Sequence, residues 1–342
     1  MSGFVSDLKL GGKVGNGAFG EVFKGEDPAH GQVAVKVLKR EVFHDDTTWP
    51  DFKASYLAEA KNLAKANHRN VVQLHHVVEA SDGNSVMICM AFCPGGSLQR
   101  AFDGGPMVLS AVRKVGTEVL MGLGAMHARG MIHRDLKPAN ILLNAKAEAQ
   151  ISDFGLVTDS LIMGYASQAG YADHVAYEVW NGKGASAKSD IWALGMTLYR
   201  LLHGKVWYEA SPAPRNVVKN GGFAGALTWL PHVTKPWRTA LRKMLNDDDT
   251  ARCQNATQAL KVLASLPTTP AWEPSVTADL VTWKQTKGMR RIVVEWKRHS
   301  RRHHEWSAWS EPLGKGQNRR LAGSGGVVSG GAAIKGLEGF FA

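Results

Sequence analysis

Residues 132–140 read Ile-His-Arg-Asp-Leu-Lys-Pro-Ala-Asn, and Asp153-Phe154-Gly155 begins thirteen residues after Asn140. The two stretches place two carboxylates, an amide, a lysine and an arginine on adjacent loops. Phosphoryl transfer to a hydroxyl uses such a set. One carboxylate takes the hydroxyl proton, another holds metal, an amide oxygen holds a second metal, and cations offset phosphate charge. Singly, each residue has a plainer role: His133 as a core imidazole, Asp135 as a turn former, Asn140 as a loop cap. Only the set in register carries the chemistry.

These loops need a nucleotide site in front of them. Gly15-Asn16-Gly17-Ala18-Phe19-Gly20 matches G-x-G-x-x-G, a spacing that dinucleotide-binding folds share. In those folds a helix opens at the last glycines. Here Glu21 to Gly25 is too short and glycine-bounded for a helix, and the β-branched run Gln32 to Leu38 comes next. The glycines therefore sit between strands, where a missing side chain lets backbone N–H groups come close to phosphate oxygens. Lys36 closes Val-Ala-Val-Lys on that second run. From Asp51 to Ala66 the spacing of Phe52, Tyr56, Glu59, Ala60 and Leu63 predicts an amphipathic helix. Glu59 falls within its apolar stripe, so it needs a partner.

Together these motifs resemble the eukaryotic-type (Hanks-type) protein kinase family, on its Ser/Thr branch, over residues 8–266. The resemblance implies an α+β, two-lobed fold. A small antiparallel β-sheet lobe with one helix spans about 8–90, a hinge 91–96, and a larger, mainly helical lobe 97–266. It implies transfer of the γ-phosphoryl group of ATP, with Mg²⁺ or Mn²⁺, to Ser or Thr of protein substrates. In that frame Asp135 is the catalytic base, Lys137 neutralises the γ-phosphate, and Asn140 and Asp153 hold metal. Lys36 holds the α- and β-phosphates and pairs with Glu59. Nucleotide contacts fall to the glycine loop, Val22, Ala34, the gatekeeper Met90, the backbone of Ala91 and Cys93, and Leu142. His133, Phe154, Gly155, Glu178, Asp190 and Arg252 are structural, with Glu178 paired to Arg252 and Asp190 bracing the catalytic loop.

Regulation is expected in residues 153–178. Arg134 beside Asp135 is a cation that a phosphorylated activation-loop residue pairs with in such kinases. Ser167, eleven residues before Glu178, is the candidate, ahead of Thr158, Ser160 and Tyr165. Two positions depart from the family pattern. Tyr177 replaces the proline of Ala-Pro-Glu, and Tyr171 stands where Ser/Thr kinases carry threonine. The rival readings are therefore Tyr or dual specificity, and a non-catalytic pseudokinase scaffold. Retention of Lys36, Asp135 and Asp153 argues against the scaffold.

Spacing places further elements. Strands are expected at Asn70–Leu74 and Ser85–Met90, with Ser97 capping a short helix. A helix from Ser110 carries Val112, Val115, Val119, Leu123 and Met126 on one face, and its Gly116, Gly122 and Gly124 suggest close helix packing. A buried helix begins at Asp190 and stops at Gly204.

The chain has 342 residues and a net charge of +11. No apolar run reaches the ~18–20 residues of a membrane span. The first residues lack a basic and an apolar leader region, and Cys89, Cys93 and Cys253 show neither disulfide nor zinc spacing. A cytoplasmic location is the expectation. Residues 267–342 hold 12 Lys and Arg against 6 Asp and Glu. Trp283, Trp296, Trp306 and Trp309 interleave with those basic residues. Such a tail could touch nucleic acid or an anionic membrane. The preferred reading is a basic tail that is partly disordered, above all in the Gly-rich stretch 323–333, or one that packs by its tryptophans on the large lobe.

Overall fold

The computed structural model describes residues 8–17, 20–42, 49–51, 53–54, 57–58, 60, 67–79, 83–153, 174–211, 218 and 220–342. The glycine-rich hairpin and the Val-rich run form β1 (Lys9–Gly17), β2 (Gly20–Asp27) and β3 (Gly31–Lys39). They join β4 (Leu74–Glu79) and β5 (Ser85–Ala91) in an antiparallel sheet of order β1-β2-β3-β5-β4. Register sets which side chains share a face. Val22 pairs with Lys36, which pairs with Ile88, and Ala34 pairs with Met90, which pairs with Leu74. Residues directly opposite one another point the same way, so Val22, Ala34, Lys36 and Met90 line one side. Val33, Val35, Val37 and Cys89 pack on the other as a separate small core. At the hairpin tip, a Cβ on Gly20 would lie 2.2 Å from the Val37 carbonyl oxygen, so the close approach of β3 alone demands glycine there.

The strand expected at Asn70–Leu74 starts later. Val71 makes only an isolated bridge to Ile151, and Asn70 is buried with its amide on the Ala149 carbonyl (2.9 Å), tying this segment to the large lobe. Most of the helix expected over 51–66, with Phe52, Tyr56, Glu59 and Leu63, lies outside the described residues.

The large lobe is built around α2 (Leu109–His127) and α4 (Ala187–Ala210), after a short α1 (Leu98–Gly104). The five residues expected on the inner face of α2 are all buried. Its glycines divide by contact. A Cβ on Gly116 would meet Leu263 Cδ1 at 2.8 Å, and one on Gly122 the Asn70 carbonyl oxygen at 2.6 Å, whereas Gly124 has room, with Ala256 Cβ at 3.6 Å. Ser97 occupies the N-cap position of α1 but makes no side-chain cap bond, contrary to expectation. Ser186 does cap α4, in a reciprocal pair with Ser189. Gly204 leaves helical geometry at φ 70°, where a Cβ would strike the backbone of Gly105, so it interrupts α4 as expected. The short hairpin β6 (Ile141–Leu143) and β7 (Ala149–Ile151) precedes α3 (Tyr177–Trp180). The lobe closes with α5 (Phe223–Ala226), α6 (Lys235–Met244) and α7 (Ala256–Ala264).

Residues 267–342, expected to be partly disordered, are assigned a sheet and a helix. Strands β8 (Glu273–Val276), β9 (Leu280–Lys287), β10 (Arg290–Arg298), β11 (His304–Pro312) and β12 (Arg319–Gly323) form an antiparallel meander that leads into α8 (Gly330–Phe341). The Gly-rich stretch includes the start of α8, which Ser329 caps by accepting from Ala332 N. The cause is a period-two pattern of large apolar residues. Val281 and Trp283, Val294 and Trp296, and Trp306 and Ala308 are buried on the face turned toward the large lobe. Trp283 lies against His232 and Phe341, and Trp296 against Trp207, with ring centroids 5.0–6.1 Å apart. Arg238 of α6 pairs with Glu338 of α8. Of the two arrangements expected for this tail, packing by tryptophans is the one observed. Among the described residues, no helix is long and apolar enough to cross a membrane.

Candidate active site

The loop between α2 and β6 is held from below. Asp190, 1% exposed near the start of α4, accepts the backbone N–H groups of His133 and Arg134 at 2.9 Å each, and His127 Nε2 at 2.8 Å. The buried His133 ring meets the Ser152 carbonyl at 2.9 Å, joining this loop to the one that ends at Asp153. Arg134 and Asp153 both have left-handed backbones, φ 69° and 51°. For non-glycine residues such conformations cost about 1–3 kcal/mol and persist only where the surroundings impose them. Here the Asp190 and Ser152 contacts do so.

Asp135 is the centre of this network. Its Oδ1 lies 2.8 Å from His174 Nε2, and its Oδ2 lies 2.9 Å from Lys137 Nζ and accepts from Asn140 Nδ2 at 2.9 Å. Burial pushes the Asp135 carboxyl up, but the hydrogen bond and charge of His174 together with Lys137 outweigh it and hold the group well below the usual carboxylate range. Asp135 is thus an ionised acceptor at neutral pH. Its His174 partner was not among the residues singled out from sequence. A histidine four positions before Glu178 was the available signal, and it has no motif of its own.

On the facing sheet Lys36 is 6% exposed and donates to Asp153 Oδ1. Its expected partner Glu59 lies outside the described residues, as do Ala18, Phe19, Phe154, Gly155, Ser167 and Tyr171. Gly15, Asn16 and Gly17 pair with Val22, Glu21 and Gly20 across the hairpin. In the hinge the Ala91 N–H is given to the Gln73 carbonyl at 2.9 Å, and Cys93 is buried with its Sγ 3.3 Å from Gln150 Oε1. Leu142 lies half-buried on β6, bridged to Ser97.

The donor chemistry fits Mg²⁺. Asn140 gives Nδ2 to the Asp135 carbonyl (2.7 Å) and carboxylate, which leaves its Oδ1 as the atom for a cation. Asp153 adds carboxylate oxygens, and hard oxygen donors are what Mg²⁺ takes. Behind the site Glu178 and Arg252, both buried, form a two-point ion pair at 2.7 and 2.9 Å, with Arg252 also donating to the carbonyls of Lys188 and Asn246.

Residues 8–263 match the protein kinase domain model. The chain belongs to the protein kinase family. The kinase chain is 28% identical over 223 residues to a probable serine/threonine-protein kinase PknB of Lactococcus lactis, covering 64% of this chain and 35% of that protein. It is 33% identical over 205 residues to the serine/threonine-protein kinase PknB of Mycobacterium leprae, covering 58% and 32%. It is 28% identical over 265 residues to the serine/threonine-protein kinase STY46 of Arabidopsis thaliana, covering 77% and 44%. The kinase chain therefore spans less than half the length of these curated relatives.

Proposed function

We propose that this chain is an ATP-dependent protein kinase that transfers the γ-phosphoryl group to Ser or Thr hydroxyls of protein substrates. The observation that carries the reading is the ionised Asp135 carboxylate, held among Lys137, Asn140 and His174, on a loop tied to Asp153 through His133. The acceptor hydroxyl is oriented by Asp135 and gives it the proton as the oxygen attacks the γ-phosphorus and the bond to the β–γ bridging oxygen breaks, with ADP leaving. Lys137 balances charge on the transferring group. Lys36 exchanges its contact with Asp153 for the α- and β-phosphates, beneath the glycine hairpin. The adenine edge meets the backbone of Ala91 and Cys93, with Val22, Ala34, Met90 and Leu142 around it. Asn140 and Asp153 would hold Mg²⁺, which when bound supplies neutralisation of phosphate charge. Most of the acceleration in such a site comes from positioning and electrostatics.

Regulation belongs to the same reading. Phosphorylated Ser167 would pair with Arg134 and draw the activation segment into place. A cytoplasmic location fits a kinase whose three cysteines are buried and free. Contact of the C-terminal sheet with nucleic acid or membrane has little support, because Arg290, Arg291 and Arg298 are engaged with Ser310, Glu311 and the carbonyls of Thr277 and Ala278.

The test is phosphoamino-acid analysis of a generic basic protein incubated with the kinase and labelled ATP, with phosphopeptide mapping of the kinase itself. Label on Ser or Thr is expected, together with phosphate on Ser167. Label confined to Tyr would move the assignment to tyrosine specificity. Full activity of Ser167→Ala with no phosphate at that position would end the regulatory proposal.

A further inference from the structure

The face of the small sheet turned away from Lys36 holds a second group of chemically competent side chains. Asp27, at the end of β2, is 6% exposed, and its Oδ1 accepts the backbone N–H groups of Ala29 and His30 at 2.9 Å each. That turn fixes the carboxylate so that Oδ2 lies 3.4 Å from His76 Nε2 on β4. The contact is within ion-pair range but is not a hydrogen bond, and this buried Nε2 makes none. Cys89 on β5 is wholly buried. One donor atom from each of Asp27, His76 and Cys89 lies within 4.8 Å of the others.

The backbone contributes to this meeting. Pairing of β4 with β5 runs from Leu74↔Met90 to His76↔Cys89, so one extra residue, His75, is inserted in β4. Without that bulge His76 would stand opposite Ile88, on the side of Lys36. With it, His76 stands opposite Cys89 on the outer side. Re-aiming a side chain is what a bulge does. The rings of His30 and His75 stack at 3.9 Å beside the group without joining the three donors. The plainer reading is an Asp–His pair next to a cysteine that serves as a small apolar residue among Val33, Val35 and Val37. It leaves unexplained why a carboxylate, an imidazole nitrogen without a hydrogen bond and a thiol are all buried toward one point.

We propose that Asp27, His76 and Cys89 form a structural site for a zinc-class divalent cation on the outer face of the small sheet. The mixed oxygen, nitrogen and sulfur set suits Zn²⁺, whose bonds of about 2.0–2.3 Å bring donors to roughly 3.5 Å from one another. Closing the three donors needs about an ångström of movement by side chains. Binding displaces the Cys89 thiol proton to solvent, with no change of oxidation state, and water completes the fourth position. The cation would pin β2, β4 and β5 together one residue before Met90. The site is separate from the oxygen donors Asn140 and Asp153, and the proposal does not depend on the catalytic reading.

The experiment uses the full chain, stripped with a chelator and titrated with Co²⁺ as a spectroscopic probe and then with Zn²⁺ in competition. One equivalent is expected to bind with a near-ultraviolet thiolate-to-cobalt band, which an all-oxygen magnesium site cannot give. The band should vanish in Cys89→Ser, and His76→Gln, which removes a ligand nitrogen, should weaken cobalt affinity by more than the roughly 10–100-fold that loss of an outer-shell partner costs. Zn²⁺ should raise the thermal midpoint of the wild type and leave that of His76→Gln unmoved. If Cys89→Ser does not fold, the partly exposed His76 decides alone through its affinity and thermal shift. Absence of stoichiometric binding, a band of full strength in Cys89→Ser, or wild-type cobalt affinity in His76→Gln would overturn the proposal.

Discussion

As the proposed base, Asp135 holds more partners than a base waiting for substrate needs. His174 occupies Oδ1 and Lys137 and Asn140 share Oδ2, so an incoming hydroxyl must displace one of them. The depressed Asp135 pKa has a definite sign. A carboxyl lowered in the folded state contributes stability above its unfolded value of about 3.9, and loses it as pH falls from there through the folded value. In the wild type, then, no acid limb of kcat/KM above about pH 4 should come from Asp135. In His174→Ala the lowering by His174 is gone, the limb should move to higher pH, and a pH–rate profile reads it. Asp135→Asn should lower kcat by roughly 10²–10⁴-fold, the range of general acid–base catalysis, with the far-ultraviolet spectrum unchanged. The motif residues were legible because nine of them are contiguous. His174 was not, because its role comes from a spatial approach across 39 positions that sequence does not encode locally.

The contrasts at the level of elements come from contact distances. Gly122 and Gly124 lie on the same helix α2, and sequence gives both the same propensity cost. Their surroundings differ. Gly124→Ala should stabilise the protein by about 0.5–1 kcal/mol, because the space exists and the helix gains an alanine. Gly122→Ala should destabilise by about 1–3 kcal/mol, because its Cβ would meet backbone, the Asn70 carbonyl oxygen at 2.6 Å. Urea unfolding of the two variants checks the opposite signs. The period of α2 and the β-branched run of β3 made those elements readable in advance. The start of β4 was not, because Asn70 to Gln73 are as strand-like in sequence as Leu74 to Glu79. Only the large-lobe contacts of Asn70 and Val71 divert them.

In the whole molecule the C-terminal sheet is the main departure from expectation. Charge and glycine content mask an alternation that is present in the chain, with Trp306 and Ala308 inward and Ser307 and Trp309 less buried. Such a pattern cannot reveal the surface it covers, which includes Trp207 and His232 of the large lobe. The sheet is thus part of the core that supports α4 and α6. Trp283→Ala should cost about 3–5 kcal/mol by removing a fully buried indole, and its effect should appear in thermal unfolding of the entire chain rather than of the tail alone. A second, earlier unfolding step confined to the tail would contradict that coupling.

The proposed role of Asp135 and Asp153 in transfer of phosphate is tested by comparing labelled phosphate transfer from Mg-ATP by the wild type and by Asp153→Asn. Steady incorporation into a protein acceptor is expected from the wild type and none above background from the variant, with both folded. Equal incorporation by the two, or none by a wild type that still binds ATP, would contradict it.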